Sequence, residues 1–244
     1  MIEQMDISLL IRLVIAHLLT DFAFQSDKWV QMRRKDGWRS KHLYLHGAIA
    51  GVLAYLFSGL WGVLWLPVAV AVTHILIDGI KSRYENDLKS FFADQFGHLA
   101  VLLVIWILVI APDTEDIASL GQFFLPGTKF WVIAAAYLVI IWPSSVLINR
   151  ITEKWRRDIS EKEGADKDKS LEKAGTWIGW LERFLILTFI LLQQYAAIGF
   201  LVAAKSIFRF SESRKVGEYV LIGTLLSFVI AVIVGLAAGA LLGV

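Results

Sequence analysis

The chain has 244 residues, of which 57% are hydrophobic and 19% charged, and its formal net charge is +2. A soluble domain carries about 25% charged residues, and here the charges gather in clusters between long apolar runs, which favours a membrane protein over a soluble one. The chain contains no cysteine, which excludes disulfides, thiolate metal ligands and cysteine nucleophiles. Because the basic clusters flank the apolar runs, no nucleic-acid partner is expected.

The apolar runs predict an all-α fold, a polytopic membrane helix bundle. A span of the bilayer core takes about 20 helical residues, and the runs are continuous, whereas the strands of a membrane barrel alternate. About seven transmembrane segments are predicted, at 7–24, 43–60, 62–80, 91–111, 130–148, 178–204 and 219–242. Residues 1–111 would form a four-helix membrane core, and residues 112–244 three further segments with a charged cytoplasmic linker at 156–175.

The charges of the loops predict an orientation across the membrane. Lys and Arg concentrate between the first and second, the third and fourth, and the fifth and sixth segments, so these loops are expected in the cytoplasm and the N-terminus outside. The first segment has an acidic flank, which favours a retained helix over a cleaved signal peptide. Lys205 and Arg209 follow the sixth segment. A single span would place them outside, and a re-entrant hairpin bent near Gln193 would keep them inside.

Histidine and aspartate recur together in the first four segments. His17 is four residues from Asp21, His74 from Asp78, and Asp94 from His98. Residues at i and i+4 share one face of a helix, so each pair presents an imidazole and a carboxylate in the same direction. His46 adds a fourth intramembrane histidine, whereas His42 lies beside a basic loop and is expected at the surface.

These groups are predicted to converge at one depth. The pairs of the first and third segments lie at their cytoplasmic ends, and His46 and the Asp94–His98 pair lie at the beginnings of the second and fourth segments. Short connections favour an antiparallel bundle, which brings all of them to the cytoplasmic side. Carboxylates in a membrane span are costly without a partner. A divalent metal is therefore predicted, with the following ligands or neighbours of ligands: His17, Asp21, His46, His74, Asp78, Asp94 and His98.

Nitrogen and oxygen ligands make zinc, manganese or iron the candidate metals, as one ion or as two. The bland alternative is a hydrogen-bond network near a wet interface. Asp94 and Glu182 are the candidate general bases. The alternative for Glu182 is that it forms, with Arg183, the charged end of a helix at the membrane interface. Gly235, Gly239 and Gly243 form a small-residue stripe, which suits internal packing or a homodimer.

The motifs also resemble a known family. The stretches AHLLTDFAFQSD (16–27), LHGAIAGVLAY, THILIDGIKSRY and FFADQFGHLAV are similar to the bacterial membrane family labelled domain of unknown function 3307 over residues 8–110. The later stretch beginning GTWIGWLERF resembles the extension of longer members. The resemblance implies recurrent polar positions at His17, Asp21, Gln25, His46, His74, Asp78, Asp94, Gln95 and His98. A looser likeness exists to membrane-bound metal-dependent hydrolases.

The function expected from these features is a membrane-embedded metal-dependent hydrolase with a cytoplasm-facing site. A bound divalent ion lowers the pKa of its water to about 7, which would make water the nucleophile towards an amphiphilic or phosphorylated substrate such as a lipid phosphoester. The alternatives are a metal-ion or proton-coupled transporter, since polar groups in spans also mark ion pathways, and a non-catalytic membrane scaffold or sensor.

Overall fold

A computed structural model of the chain describes residues 2–84, 87–110, 125–162, 169–207 and 214–244. In these ranges the chain forms nine α-helices and no strand, which confirms the all-α prediction. The helices are α1 (Ile2–Leu18), α2 (Asp27–Asp36), α3 (Lys41–Ser58), α4 (Trp65–Lys81), α5 (Leu88–Ile110), α6 (Thr128–Lys162), α7 (Lys169–Leu191), α8 (Tyr195–Ile207) and α9 (Arg214–Leu242). A π-helical turn (Leu19–Ala23) follows α1, and a 3-10 turn (Gly37–Arg39) follows α2.

Three helical stretches in the described ranges are long and apolar enough to cross a membrane, namely Leu88–Ile110, Thr128–Glu153 and Leu221–Leu242. A fourth candidate is a bent pair, in which Ile7–Ala23 meets Asp27–Arg39 at an angle of 85°. The helical character of the chain and its candidate membrane spans agree with the sequence. The predicted number of seven spans is not confirmed, because three or four helices are long and apolar enough to cross a membrane. The predicted segments at 43–60 and 62–80 form helices α3 and α4, which are not among these candidate spans.

The chain divides into two compact units, 1–135 and 136–244, with the boundary inside α6. The sequence had suggested a boundary at residue 111. That residue is the first of the stretch 111–124, which lies outside the described residues. In the first unit α3 packs against α4 and α1, and α5 packs against α1 and α4. The buried side chains of this four-helix core are Leu9, Leu13, Ala16, Ala50, Ala54, Leu60, Val63, Leu66, Val70, Leu102, Ile105 and Val109.

Helices α3 and α4 approach each other closely at two glycines. A Cβ added to Gly47 would lie 2.3 Å from the Ile75 side chain, and one added to Gly51 would lie 2.5 Å from the carbonyl oxygen of Pro67. Real Cβ atoms are not found at such distances, so only glycine permits this spacing. Because His46 precedes Gly47 and His74 precedes Ile75, the close approach also brings these two histidines together.

In the second unit α9 packs against α7, and α8 folds back along α7. The chain turns between α7 and α8 at Gln193, which has a φ of 58°. Lys205 Nζ lies 2.5 Å from Glu182 Oε2, although the two residues are separated by the turn. The predicted segment 178–204 is therefore two helices of a hairpin, as in the second of the two sequence-based alternatives.

Two glycines of the predicted small-residue stripe have local roles. A Cβ on Gly235 would lie 2.7 Å from Ile190 of α7, so this glycine permits close packing inside the unit. Gly243 has a φ of 76°, which ends α9 in the left-handed conformation that favours glycine. Homodimerisation through the stripe stays a prediction. The charged linker at 156–175 is helical at both ends, up to Lys162 and from Lys169.

Candidate metal centre

The seven residues predicted from the first four segments lie together in the first unit, contributed by α1 and its π-helical turn, α3, α4 and α5. His46 is fully buried, and the other three histidines, Asp78 and Asp94 are at most 4% exposed. The Asp21 side chain is 7% exposed. The group is called the His/Asp cluster below and consists of His17, Asp21, His46, His74, Asp78, Asp94 and His98.

Asp21 is the centre of this cluster. Its Oδ1 lies 3.1 Å from His74 Nε2 and 3.3 Å from His46 Nε2, but 3.9 Å from Nδ1 of His17 in its own helix. The sequence had paired Asp21 with His17 along one α-helical face. The π-helical turn at Leu19–Ala23 widens the helix at this point, and the carboxylate faces α3 and α4 instead. Single π-helical turns of this kind occur frequently at functional sites.

Asp78 lies beside the same two histidines. Its Oδ2 is 3.5 Å from His46 Nε2 and 3.8 Å from His74 Nε2. The same oxygen accepts a hydrogen bond from the guanidinium of Arg33, a residue of α2 that is only 5% exposed. Asp78 is thus shared between the cluster and a buried cation.

Asp94 and His98 occupy the other side of the cluster. Asp94 Oδ1 is 3.5 Å from His98 Nε2, and Asp94 Oδ2 forms an ion pair with Lys81. The His98 ring stacks on the ring of His74, with centroids 4.1 Å apart and an angle of 27°. His17 completes this side, with its ring centroid 4.9 Å from that of His98.

Glutamine side chains connect the members of the cluster. The amide of Gln95 donates to Asp21 Oδ2 and to Asp94 Oδ2, both at 3.1 Å, and its oxygen lies 3.2 Å from His17 Nε2. The amide of Gln25 lies 2.8 Å from His46 Nε2. These glutamines orient the ligands from outside, the role that hydrogen-bonded neighbours play at metal sites.

Several polar atoms of the cluster are buried without a hydrogen-bond partner. Across the described residues seven buried side-chain nitrogen or oxygen atoms lack such a partner, and six of them belong to the cluster. The six are His17 Nδ1, Asp21 Oδ1, His46 Nδ1, His74 Nε2, Asp94 Oδ1 and His98 Nε2. Since buried polar atoms are nearly always satisfied, a group of six in one place is the arrangement expected where an ion, a water molecule or a shared proton completes the cluster.

The spacing of these atoms fits a divalent metal. Three sets have ligand atoms within 4.8 Å of one another: His17 with His74 and His98, Asp21 with His46 and His74, and Asp21 with Asp94 and His98. Two ligands each about 2.1 Å from a tetrahedral ion lie roughly 3.4 Å apart, close to the spacings of Asp21 and Asp78 from His46 and His74. Because Asp21 belongs to two sets, its carboxylate could bridge two ions.

The short helix α2 covers one end of the cluster. Ser26 begins it by accepting a hydrogen bond from the Trp29 amide, and the bend of 85° turns it across the bundle. The ring of Trp38 lies against Gly79, where an added Cβ would be 2.4 Å from the ring. Arg34 donates to the Tyr84 carbonyl oxygen at 2.8 Å. These two contacts hold the segment 26–39 against the end of α4 that carries Asp78.

A family comparison covers this part of the chain. Residues 9–122 match the family described as "Protein of unknown function (DUF3307)". The match, called the DUF3307 region below, covers slightly less than half of the chain. The DUF3307 region contains every residue of the His/Asp cluster, together with Arg33, Lys81 and both glutamines, so the site is a feature of that region. No curated protein and no solved structure matches the chain significantly.

Two residues considered from the sequence lie outside the cluster. His42 of the DUF3307 region packs on Trp29, with ring centroids 5.5 Å apart. Glu182 belongs to the second unit, beyond the DUF3307 region, where Lys205 binds its carboxylate. Its role as a general base stays a prediction.

A small cavity adjoins the histidines inside the DUF3307 region. His17, His74 and His98 form one wall, and the other walls are apolar apart from Thr73. The remaining lining residues are Leu13, Ala50, Ala54, Val70, Val101 and Leu102. The space suffices for about one water molecule, so a substrate has to approach from another side.

Proposed function

We propose that the chain is a membrane-embedded metal-dependent hydrolase whose site opens to the cytoplasm and acts on a lipid or another phosphoester. One observation carries the proposal: Asp21 is a buried carboxylate without a Lys or Arg partner in the described residues, and two imidazole nitrogens without a hydrogen-bond partner, His74 Nε2 at 3.1 Å and His17 Nδ1 at 3.9 Å, lie beside it. The proposed location is the bacterial inner membrane, with the N-terminus outside, because of the distribution of basic loops.

The charges distinguish Asp21 from the other two aspartates. Asp78 has Arg33 and Asp94 has Lys81 as a cationic partner. An unpaired buried carboxylate is costly, and a divalent cation would remove this cost while using neutral imidazole nitrogens as ligands. Zinc, manganese or iron suits such a set, whereas so many imidazoles disfavour calcium.

The residues of the cluster would divide the work of hydrolysis. A divalent ion would supply acidified water and polarise the bond to be broken. Asp94 Oδ1, 3.5 Å from His98 Nε2, would take a proton from the water whose oxygen forms the new bond to phosphorus. The bond from phosphorus to the leaving oxygen would break, and the leaving oxygen would take up that proton. Lys81 binds the other oxygen of Asp94 and so orients the carboxylate for this role.

The first test is metal content. The full chain, purified in detergent without added metal, is expected to contain one or two ions of zinc, manganese or iron by elemental analysis. His74→Ala is expected to lose this metal, because His74 belongs to two of the three candidate ligand sets. His42→Ala is the matched control, since it removes a histidine that lies outside the cluster and packs on Trp29, and it should retain the metal.

The second test is turnover. Metal-loaded protein is expected to release phosphate from phosphorylated amphiphiles, and Asp94→Asn should abolish the release while metal remains bound. Metal-free wild-type protein that keeps full thermal stability, and to which none of the three metals binds, would refute the proposal and favour the hydrogen-bond network.

Transport of a metal ion or of protons is the second candidate function. The cavity beside His17, His74 and His98 favours it, because it extends the polar cluster towards the apolar interior of the bundle. Flux of zinc or of protons into liposomes without any turnover would support transport. Hydrolysis without flux would support the enzyme.

A further inference from the structure

Two basic side chains border the His/Asp cluster, and each is paired with one of its carboxylates. Arg33 reaches Asp78 from α2, and Lys81 of α4 reaches Asp94 of α5. Arg33 lies in a predicted basic loop, and Lys81 lies one turn beyond Asp78 at the end of a predicted segment. In the structure Arg33 is 5% exposed, and the Lys81 side chain is 23% exposed. Both cations have therefore been brought into the site.

The ion pairs leave the cations incompletely used. Arg33 has five N–H donors, and within the described residues its one side-chain hydrogen bond is that to Asp78. Lys81 likewise has three donors, one of which binds Asp94. Donors remain on both residues for a further acceptor beside the cluster.

The charge of the site changes sign when metal binds. The three carboxylates and the two cations leave one net negative charge if the histidines are neutral. One divalent ion makes the site net positive by one charge, and two ions make it positive by three. In a poorly hydrated site near a membrane such an excess is costly, and an anionic ligand of up to two charges would compensate for it.

We propose that Arg33 and Lys81 form an anion clamp that binds the phosphate group of an anionic phosphoester against the metal-loaded cluster. This inference rests on the proposed function and specifies its substrate class. The planar fork of Arg33 suits two phosphate oxygens, and Lys81 acts as a point charge. Because Lys81 is the more exposed of the two, the substrate enters on its side of the cluster.

The charges also order the binding steps. Arg33 and Lys81 pair with Asp78 and Asp94, and a site with one net negative charge does not attract an anion. A divalent ion held by the cluster would reverse that charge, while each cation keeps its carboxylate and offers its remaining donors to the phosphate. The clamp is therefore expected to bind phosphate only after metal has bound.

The experiment uses the full chain in detergent, loaded with zinc, and inorganic phosphate as the probe. Isothermal titration calorimetry should show phosphate binding that weakens at least about 10-fold in Arg33→Gln and in Lys81→Gln, the loss expected for one charge-assisted hydrogen bond. Lys35→Gln is the matched control: it removes an exposed cation of the same helix and should leave the affinity unchanged. Metal content is measured on every variant.

A second variant guards against misfolding. Arg33→Lys keeps the ion pair with Asp78 but loses the fork, so it should fold and bind phosphate more weakly than wild type and more tightly than Arg33→Gln. Nanodiscs that contain phosphatidic acid replace inorganic phosphate in a parallel series, with phosphatidylcholine as the blank. Tighter binding to phosphatidic acid identifies a lipid phosphate as the source, and binding of inorganic phosphate alone identifies a soluble ester.

Two outcomes separate this inference from the proposed function. If metal binds but phosphate affinity is the same in wild type, Arg33→Gln and Lys81→Gln, the clamp is wrong and the metal site stands. If the wild-type chain binds no metal, the proposed function fails before the clamp is tested. Phosphate that binds the metal-free chain as tightly as the zinc-loaded chain would also overturn the clamp.

Discussion

Each of the two units contains a buried cluster of polar side chains, and the two clusters differ in how far their hydrogen bonds are satisfied. In the second unit Arg183 donates to the Ile140 carbonyl oxygen at 2.6 Å, to Ser227 Oγ at 2.9 Å and to Ser145 Oγ at 2.7 Å. In the first unit six buried atoms of the His/Asp cluster face one another without a hydrogen-bond partner.

The difference is the one expected between a structural cluster and the proposed metal site. Arg183 is a buried cation whose donors are matched by fixed acceptors on α6 and α9, so it holds helices together and has little left to offer a ligand. The His/Asp cluster leaves its best ligand atoms unsatisfied at metal-like spacing. A buried polar group whose hydrogen bonds are satisfied within the protein stabilises the fold. A buried polar group without partners is costly, and a ligand that supplies the missing partner would remove that cost.

The largest effect is expected at Asp21. Asp21→Asn should weaken metal binding by about 100-fold or more, since even neighbours of ligands contribute about 10–100-fold. In metal-free protein the same change removes an unpaired buried charge, so the melting temperature should stay the same or rise. Chelator competition measures the affinity, and Asp27→Asn, at the exposed start of α2, is the control. A large loss of stability without metal would contradict the comparison.

A smaller effect, of opposite character, is expected at Arg183. Arg183→Met should destabilise the protein by about 2–3 kcal/mol, because buried acceptors lose their donors, and should leave metal content unchanged. Unfolding in mixed micelles measures the first quantity and elemental analysis the second. Lys205→Gln removes a partly exposed cation of the same unit and should cost less than about 1 kcal/mol. Loss of metal in Arg183→Met would show that the clusters are not independent.

The smallest effect is expected at the contact of α3 and α4. Gly47→Ala inserts a methyl group against Ile75 and should cost about 1–2 kcal/mol by overpacking. The displacement also separates His46 from His74, so metal affinity should fall with stability. Gly97→Ala is the control, because the atoms of Ile77 are at an ordinary 3.8 Å from its Cβ position. Metal affinity that is unchanged in Gly47→Ala would mean that the ligands tolerate a wider spacing.

The sequence predicted which residues form the His/Asp cluster because the depth of a residue in the membrane can be estimated from its position along a predicted helix. The distance of His17, His46, His74 and His98 from their helix ends can be counted along the chain, and an antiparallel bundle brings equal depths together. The all-α class followed from the continuous apolar runs. The intrahelical pairing of His17 with Asp21 was less accurate, since the π-helical turn directs Asp21 towards α3 and α4, and no residue pattern announced that turn.

The cationic half of the site could not be predicted in the same way. Arg33 lies in a basic loop of a kind that normally reports orientation at the membrane surface, and its burial depends on the bend of 85° before α2. That bend is a tertiary feature, fixed in part by the contact of Trp38 with Gly79. The sequence shows Lys81 one turn beyond Asp78, but the ion pair of Lys81 with Asp94 depends on the packing of α5 against α4.

The π-helical turn of Leu19–Ala23 has a consequence for how the chain tolerates insertions and deletions. Its hydrogen bond runs from the Phe24 amide to the Leu19 carbonyl oxygen, at 2.9 Å, which spans five residues instead of the usual four. Removing Thr20 there would restore a regular α-helix and shorten the spacing of His17 and Asp21 from four residues to three, which changes the direction of Asp21 relative to His17. The direction of Asp21 therefore depends on one extra residue, and a single-codon deletion would displace it from α3 and α4 although every residue of the His/Asp cluster is retained.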